Sequence, residues 1–414
     1  MDREAVNKNI KANGDKAKAG DISGMPVFNV GIVGHIDHGK TTLLSRLTGK
    51  WTDTHSEELK RGITIKLGYA DAVIYDNKGE YNIREGKPLR HVTFVDAPGH
   101  EMLMATMLSG AAIMDAAILL VAANEGIKQQ TREHLLALQA RGIKNVIIVQ
   151  NKIDLVDKKR LMENYKEIKE FVGGTIAESS VIIPTSAQQD INIDKVLRAL
   201  TEIPIPVRDI ESSSLFVVAR SFDINRPGSP IKELKGGVLG GALKRGKLKV
   251  GDEIEIKPGI HSKKGNQDVY ETIRTKILAM HRGEHSIKEA MPGGSLAIET
   301  SLDPAMTKAD SLSGNVVGAI NGLPPIKSTI KLKYHLFKEI FGERERMKVE
   351  PLKTTELIML SVNTTITVGN ITKITPNDVE MNLRIPICDF KGENAGMARN
   401  IHGHWRLIGY GELV

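Results

Sequence analysis

The chain has 414 residues, 41% of them hydrophobic and 26% charged, with a net charge of +7 and a single cysteine, Cys388. That length provides for two or three domains with cores of their own, and one cysteine excludes an internal disulfide or a cysteine-based metal cluster, leaving Cys388 as a small buried hydrophobe. Neither a membrane span nor a secretory signal is expected, because no run approaches 18 apolar residues and the N-terminus has no apolar core; the positive charge permits nucleic-acid association without proving it.

Residues 1–26 are polar and lysine-bearing and read as a mobile tail. Residues 27–33 then read as a short buried strand and 42–47 as the first turns of a helix. Between them lies Gly34-His35-Ile36-Asp37-His38-Gly39-Lys40-Thr41, which fits Gly-x4-Gly-Lys-Ser/Thr. A glycine loop in that context aims backbone N–H groups into one concavity, and the helix N-terminus adds partial positive charge. Asp37, His38, Gly39, Lys40, Thr41 and Thr42 are therefore expected at a nucleotide triphosphate, with Lys40 on the β- and γ-phosphates and the Thr41 hydroxyl on Mg²⁺.

The next elements repeat one arrangement, an apolar strand followed by a polar loop. Asp96-Ala97-Pro98-Gly99 follows the strand at 92–95. Asp96 is expected to hold Mg²⁺ through water, and the Gly99 N–H to meet the γ-phosphate. Upstream, Thr64 is expected to close on Mg²⁺ only when the third phosphate is present, although in isolation it reads as a strand-edge threonine. These two segments are the expected switches. His100 opens a helix expected over 101–112 and is placed to orient the attacking water; with Asp37 and Gly99 it forms the expected catalytic group. No residue is required as an arginine finger in cis, with Arg61 the one candidate, so hydrolysis should be slow without a partner.

Asn151-Lys152-Ile153-Asp154 follows the strand at 146–150, at the carboxyl end where open α/β sheets bind ligands. The Asp154 carboxylate can accept from guanine N1–H and its amino group, which adenine does not offer; an unpaired buried carboxylate is costly, which favours GTP. Ser186, Ala187 and Gln188 follow the strand at 181–184 and are expected to pack over the base. Lys40 to Asp96 is 56 residues, Asp96 to Asn151 is 55, and Asn151 to Ser186 is 35. Each gap suits one or two βα units, so all four loops should meet at one sheet edge.

Beyond Pro204 and Pro206 the texture changes to strand-length runs and glycine turns, with runs at 214–220, 253–256 and 296–299 forming one closed antiparallel barrel. Residues 257–270 read as an exposed polar loop. Pro324-Pro325 marks a boundary, and runs at 330–334, 356–362 and 405–414 point to a second barrel. The expected organisation is a tail at 1–26, an α/β P-loop GTPase domain at 27–208, and β-barrel domains at 209–325 and 326–414.

The motifs Gly34–Thr41, Asp96–His100, Gln130-Thr131-Arg132-Glu133-His134 and Asn151–Asp154 together resemble those of the translational GTPases. Segments 59–70, 102–111, 217–228, 302–310 and 405–409 are most similar to the γ subunit of archaeal and eukaryotic initiation factor 2, and the lack of long extensions points to the archaeal form. The resemblance implies GTP-dependent carriage of methionylated initiator tRNA to the small ribosomal subunit, in the cytoplasm, with α and β subunits of the same factor as partners; contact with mRNA is left open. By position it also implies that Tyr69 stacks on the terminal adenosine of the tRNA, with ordinary packing as the alternative. Two departures stand out. Residues 75–91 lack the four cysteines of a zinc knuckle, so no structural zinc is expected. Segment 397–404 carries Asn and His where relatives are richer in arginine, which weakens any RNA contact assigned there. An elongation-type carrier of another aminoacyl-tRNA, or a regulatory GTPase subunit of a metabolic enzyme, remain alternatives.

Overall fold

A computed structural model describes residues 27–50, 67–98, 104–226, 228, 230–265, 267–341 and 346–414. The first unit is a seven-stranded sheet in the order β3-β2-β4-β1-β5-β6-β7, with β1 Val27–Gly34, β2 Gly68–Asn77, β3 Glu80–Asn82, β4 Lys87–Asp96, β5 Ala116–Ala122, β6 Asn145–Asn151 and β7 Ile182–Pro184. Strands β4, β1, β5, β6 and β7 run parallel, and β2 runs antiparallel to β4. Every residue of β1 is buried, as a strand covered on both faces requires. The chain leaves β1 on one side toward β4 and returns on the other as β5. That reversal opens a crevice beyond the carboxyl end of β1, where the glycine loop begins.

Among the described residues five helices flank the sheet: α1 Lys40–Thr48, α2 Met104–Ala111, α3 Gln129–Ala140, α4 Lys158–Val172 and α5 Ile193–Glu202. On one face Phe28, Val30 and Ile32 pack with Leu43, Leu44 and Leu47 of α1 and Val196, Leu197 and Leu200 of α5. On the other, Met107 and Leu108 of α2 and Leu135 and Leu138 of α3 join a core that continues into the last barrel through Ile358, Leu360, Met397 and Leu407. The first unit and the last barrel thus share apolar packing.

The middle unit is a six-stranded antiparallel barrel. Strands Glu253–Lys264, Val316–Ala319, Leu215–Phe222, Val238–Arg245, Leu296–Thr300 and Gln267–Arg282 pair in that order, and the last pairs with the first. The final unit closes through Ile326–Leu336, Asp378–Cys388, Thr365–Ile374, Leu357–Val362, Asn394–Ile401 and His404–Leu413. Closure removes the exposed strand edges. Cys388 is buried and its thiol is pushed up to about 12 by that burial.

The expected loop at 257–270 is instead the outer half of a hairpin. Strands Glu253–Lys264 and Gln267–Arg282 remain paired to its tip, where Lys264 faces Gln267, across one register shift between Ile256 and Ile260. His261 pairs with Asp268 at 2.6 Å and Lys264 with Glu271 at 2.8 Å. Beyond the barrel wall the hairpin tip is largely exposed, so the sequence lacks the apolar alternation that marks a strand; cross-strand charge pairs stand in for it. The helix expected over 101–112 runs from Met104 to Ala111 among the described residues.

Candidate nucleotide site

Two glycines shape the loop after β1. Gly34 has φ 144°, and a Cβ there would stand 2.5 Å from the Leu120 carbonyl oxygen. Gly39 has φ 95°, and a Cβ there would stand 2.5 Å from Asn151 Nδ2. Only glycine meets both demands. Lys40 is 8% exposed; its Nζ donates to the Gly34 and His35 carbonyls at 3.0 and 2.8 Å. Asp37 is exposed with φ 59°, and Thr42 is half-buried on the first turn of α1.

The strand-end residues converge as their spacing predicts. Thr41 Oγ1 lies 3.4 Å from Asp96 Oδ2, and Asp96 is fully buried at the end of β4. A hydroxyl and a carboxylate side by side are hard oxygen donors that suit Mg²⁺. Asn151 joins the loops: its Nδ2 donates to the His38 carbonyl at 2.9 Å, and its Oδ1 accepts from the Ala187 N–H at 3.0 Å. Ser186 and Ala187 are buried and Gln188 is exposed. Arg46 of α1 donates to the Ala187 and Gln188 carbonyls at 3.0 and 3.2 Å. Lys152 adopts φ 61°, and its Nζ donates to Glu125 Oε1 at 3.2 Å.

Asp154 departs from the expectation of a buried carboxylate. It sits on the single 3-10 turn Ile153–Leu155 at the rim, and its side chain is exposed. The protein itself does not enclose it. Thr64, Gly99 and His100 lie outside the described residues. Tyr69 is half-buried against the core, and its hydroxyl is enclosed without a hydrogen-bond partner. Burial raises its pKa, with Arg220 and Asp310 of the middle barrel nearby. In this arrangement the ring serves packing, and stacking on an adenosine would require the contact to open.

Helix α3 contributes what the sequence motif alone did not assign. His134 Nδ1 accepts the Gly34 N–H at 2.9 Å, and Gln130 Oε1 accepts the Ile36 N–H at 3.2 Å. Both side chains are buried, as are Thr131 and Glu133. Four buried polar residues within one turn and a half are costly without partners; that run was the available signal. Burial lowers the pKa of His134 to about 3 and that of His38 to about 4, so both rings are neutral at pH 7 and His134 can accept. Glu125 stays below the ordinary carboxylate range: burial opposes its ionisation, but the hydrogen bond from Lys152 and the charges of Lys152 and Lys128 outweigh it.

These two histidines predict a pH dependence. Their folded pKa values lie below the ordinary 6.5, so the unfolded chain binds protons first. Their contribution is complete above pH 6.5 and is lost as pH falls toward 4, at about 1.4 kcal/mol per pH unit for each ring. Urea unfolding between pH 7.5 and 5 should show this decline, and His134→Gln should remove one proton's worth of the slope. An unchanged slope would contradict the neutral buried ring.

Comparison with known proteins agrees with this geometry. Residues 25–205 match the family described as Elongation factor Tu GTP binding domain, and residues 328–413 match Initiation factor eIF2 gamma, C terminal. The chain is 50% identical over 395 residues to translation initiation factor 2 subunit gamma of Pyrococcus furiosus, covering 92% of this chain and 96% of that one. The chain belongs to the family of translation initiation factor 2 gamma subunits. The Methanocaldococcus jannaschii member is 51% identical over 397 residues, covering 93% of this chain and 97% of its own. As a member of this family the chain is a GTPase of translation initiation. The fold is shared with bacterial selenocysteine-specific elongation factor EF-Sec, at TM-score 0.74 and 24% identity over 94% of this chain and 58% of that longer one. It is shared also with elongation factor SelB from Methanococcus maripaludis in complex with the GTP analogue GppNHp, at TM-score 0.71 and 22% identity over 94% and 79% of the two chains. Among the described residues no helix is long and apolar enough to cross a membrane.

Proposed function

We propose that this gamma-family GTPase is the GTP-dependent carrier of methionylated initiator tRNA to the small ribosomal subunit, working in the cytoplasm with the α and β subunits of the same factor. Identity with the archaeal gamma subunits across all three units of the chain supports this most strongly. In this reading residues 27–208 are the switch, and residues 209–325 and 326–414 are the parts that respond to it. Filter binding with charged initiator tRNA, charged elongator tRNA and no tRNA tests it. Selective retention of the initiator is expected; equal retention of both would remove the initiation role.

Lys40 and the loop amides hold the β- and γ-phosphates, while Asp154 and Lys152 bind the guanine with Ala187 behind it. Thr41, Asp96 and Thr64 would hold Mg²⁺, which when bound neutralises phosphate charge. Thr64 and Gly99 order around the γ-phosphate and relax on its loss, and a ligand that binds only the ordered form is then released. Two contacts support a mechanical link from switch to barrel: Arg220 donates to the Leu67 carbonyl at 3.2 Å, just after the first switch, and the Ser295 N–H donates to Thr93 Oγ1 at 3.2 Å.

His100 orients the attacking water. His100→Ala should slow single-turnover hydrolysis by roughly a hundredfold or more and leave GDP affinity within about twofold. An equal loss of GDP affinity would make His100 structural.

A further inference from the structure

We propose that Glu125 is a positioning residue that holds the base-binding and phosphate-binding loops in register, and so sets guanine-nucleotide affinity without touching the nucleotide. It rests on the reading that Lys152 contacts the guanine. Glu125 lies just beyond β5, in a turn fixed by two N–H bonds to the Ala122 carbonyl, from Glu125 at 3.2 Å and from Gly126 at 2.8 Å. The Ala123 N–H donates to the Asn151 carbonyl at 2.8 Å, which pins the start of the same turn to the end of β6. Gly126 supplies the positive φ of 77° that this turn requires.

From that position the carboxylate faces both loops. Oε1 accepts from Lys152 Nζ at 3.2 Å, and Oε2 lies 4.0 Å from His38 Nε2. His38 is fully buried, and this nitrogen has no hydrogen-bond partner. The carboxylate is thus the charged group between the Lys152 ammonium and the ring of the phosphate loop, with Lys128 contributing from the same segment. Lys152 sits at φ 61°, a conformation its own side chain does not favour. An external anchor is what holds its long, flexible stem in one orientation. The pair is only partly buried, with exposures of 25% and 29%, and half-exposed pairs contribute little to stability. Its effect should therefore register in binding and leave thermal stability almost untouched.

A double-mutant cycle on GDP and GTP affinity tests this with the full-length protein: Glu125→Gln, Lys152→Met and the double variant, each with its thermal midpoint and single-turnover hydrolysis rate. Glu125→Gln should weaken both nucleotides about tenfold in the native background and less than about twofold in the Lys152→Met background. Its midpoint and bound-state hydrolysis rate should match the parent, and Glu125→Ala should behave alike. If Lys152→Met leaves GDP affinity unchanged, the reading of Lys152 fails and the proposal falls with it. If Lys152→Met weakens binding but the effect of Glu125→Gln is the same in both backgrounds, Lys152 keeps its role and Glu125 loses the one proposed.

Discussion

Replacing Asp154 with Asn should exchange guanine for xanthine as the preferred base. In the proposed reading the carboxylate accepts two N–H bonds from guanine, whereas the amide would present a donor where guanine also donates. Xanthine carries an acceptor at that position and restores the pairing. A mismatched donor facing a donor under the bound base leaves polar groups unpaired, and such losses reach several powers of ten in enclosed sites. Asp154 is exposed at the rim, so the loss should be smaller here, roughly a hundredfold for GTP. Equilibrium binding of GTP and XTP to both proteins checks it; unchanged GTP affinity in the variant would remove Asp154 from base reading.

A second large effect is expected at the junction between α3 and the last barrel. Glu133 and Arg406 form an ion pair at 2.5 Å, each side chain only 6% exposed. Removing one partner from a buried pair strands the other's charge and costs about 3–5 kcal/mol, whereas replacing both is far better tolerated. Arg406→Met should therefore destabilise the protein strongly in urea unfolding, and Glu133→Gln with Arg406→Met should recover most of the loss. The consequence extends to the nucleotide. Glu133 shares its helix with Gln130 and His134, which hold the Ile36 and Gly34 amides. The same helix ends at Arg141, which donates to the Asn363 carbonyl at 2.9 Å and to Ser361 Oγ. Loosening this junction should speed GDP dissociation several-fold. A variant as stable as the parent, or stability lost equally in single and double variants, would contradict a coupled pair.

The convergence of the strand-end loops was legible because each element is local. An apolar strand, a turn and one or two polar residues place Lys40, Asp96, Asn151 and Ser186 at successive strand ends, and the sheet brings those ends together. The three-unit architecture was legible for the same reason, since apolar alternation and glycine turns mark barrel strands. What escaped depends on contacts distant in sequence. His134 reaches Gly34 across 100 residues and Gln130 reaches Ile36 across 94, which no local pattern encodes. The hairpin at 257–270 was hidden because its charged pairs face solvent. The exposure of Asp154 was hidden because a strand-end motif gives residue order but not the depth of the rim.

The decisive measurement is the affinity of charged initiator tRNA for the purified protein in the presence of a non-hydrolysable GTP analogue and of GDP. A switch that reads the outermost phosphate should bind the tRNA roughly 5- to 150-fold more tightly with the triphosphate, and adenosine nucleotides should not substitute. Equal affinity in both nucleotide states, or equal support from ATP analogues, would contradict a guanine-specific switch that carries initiator tRNA.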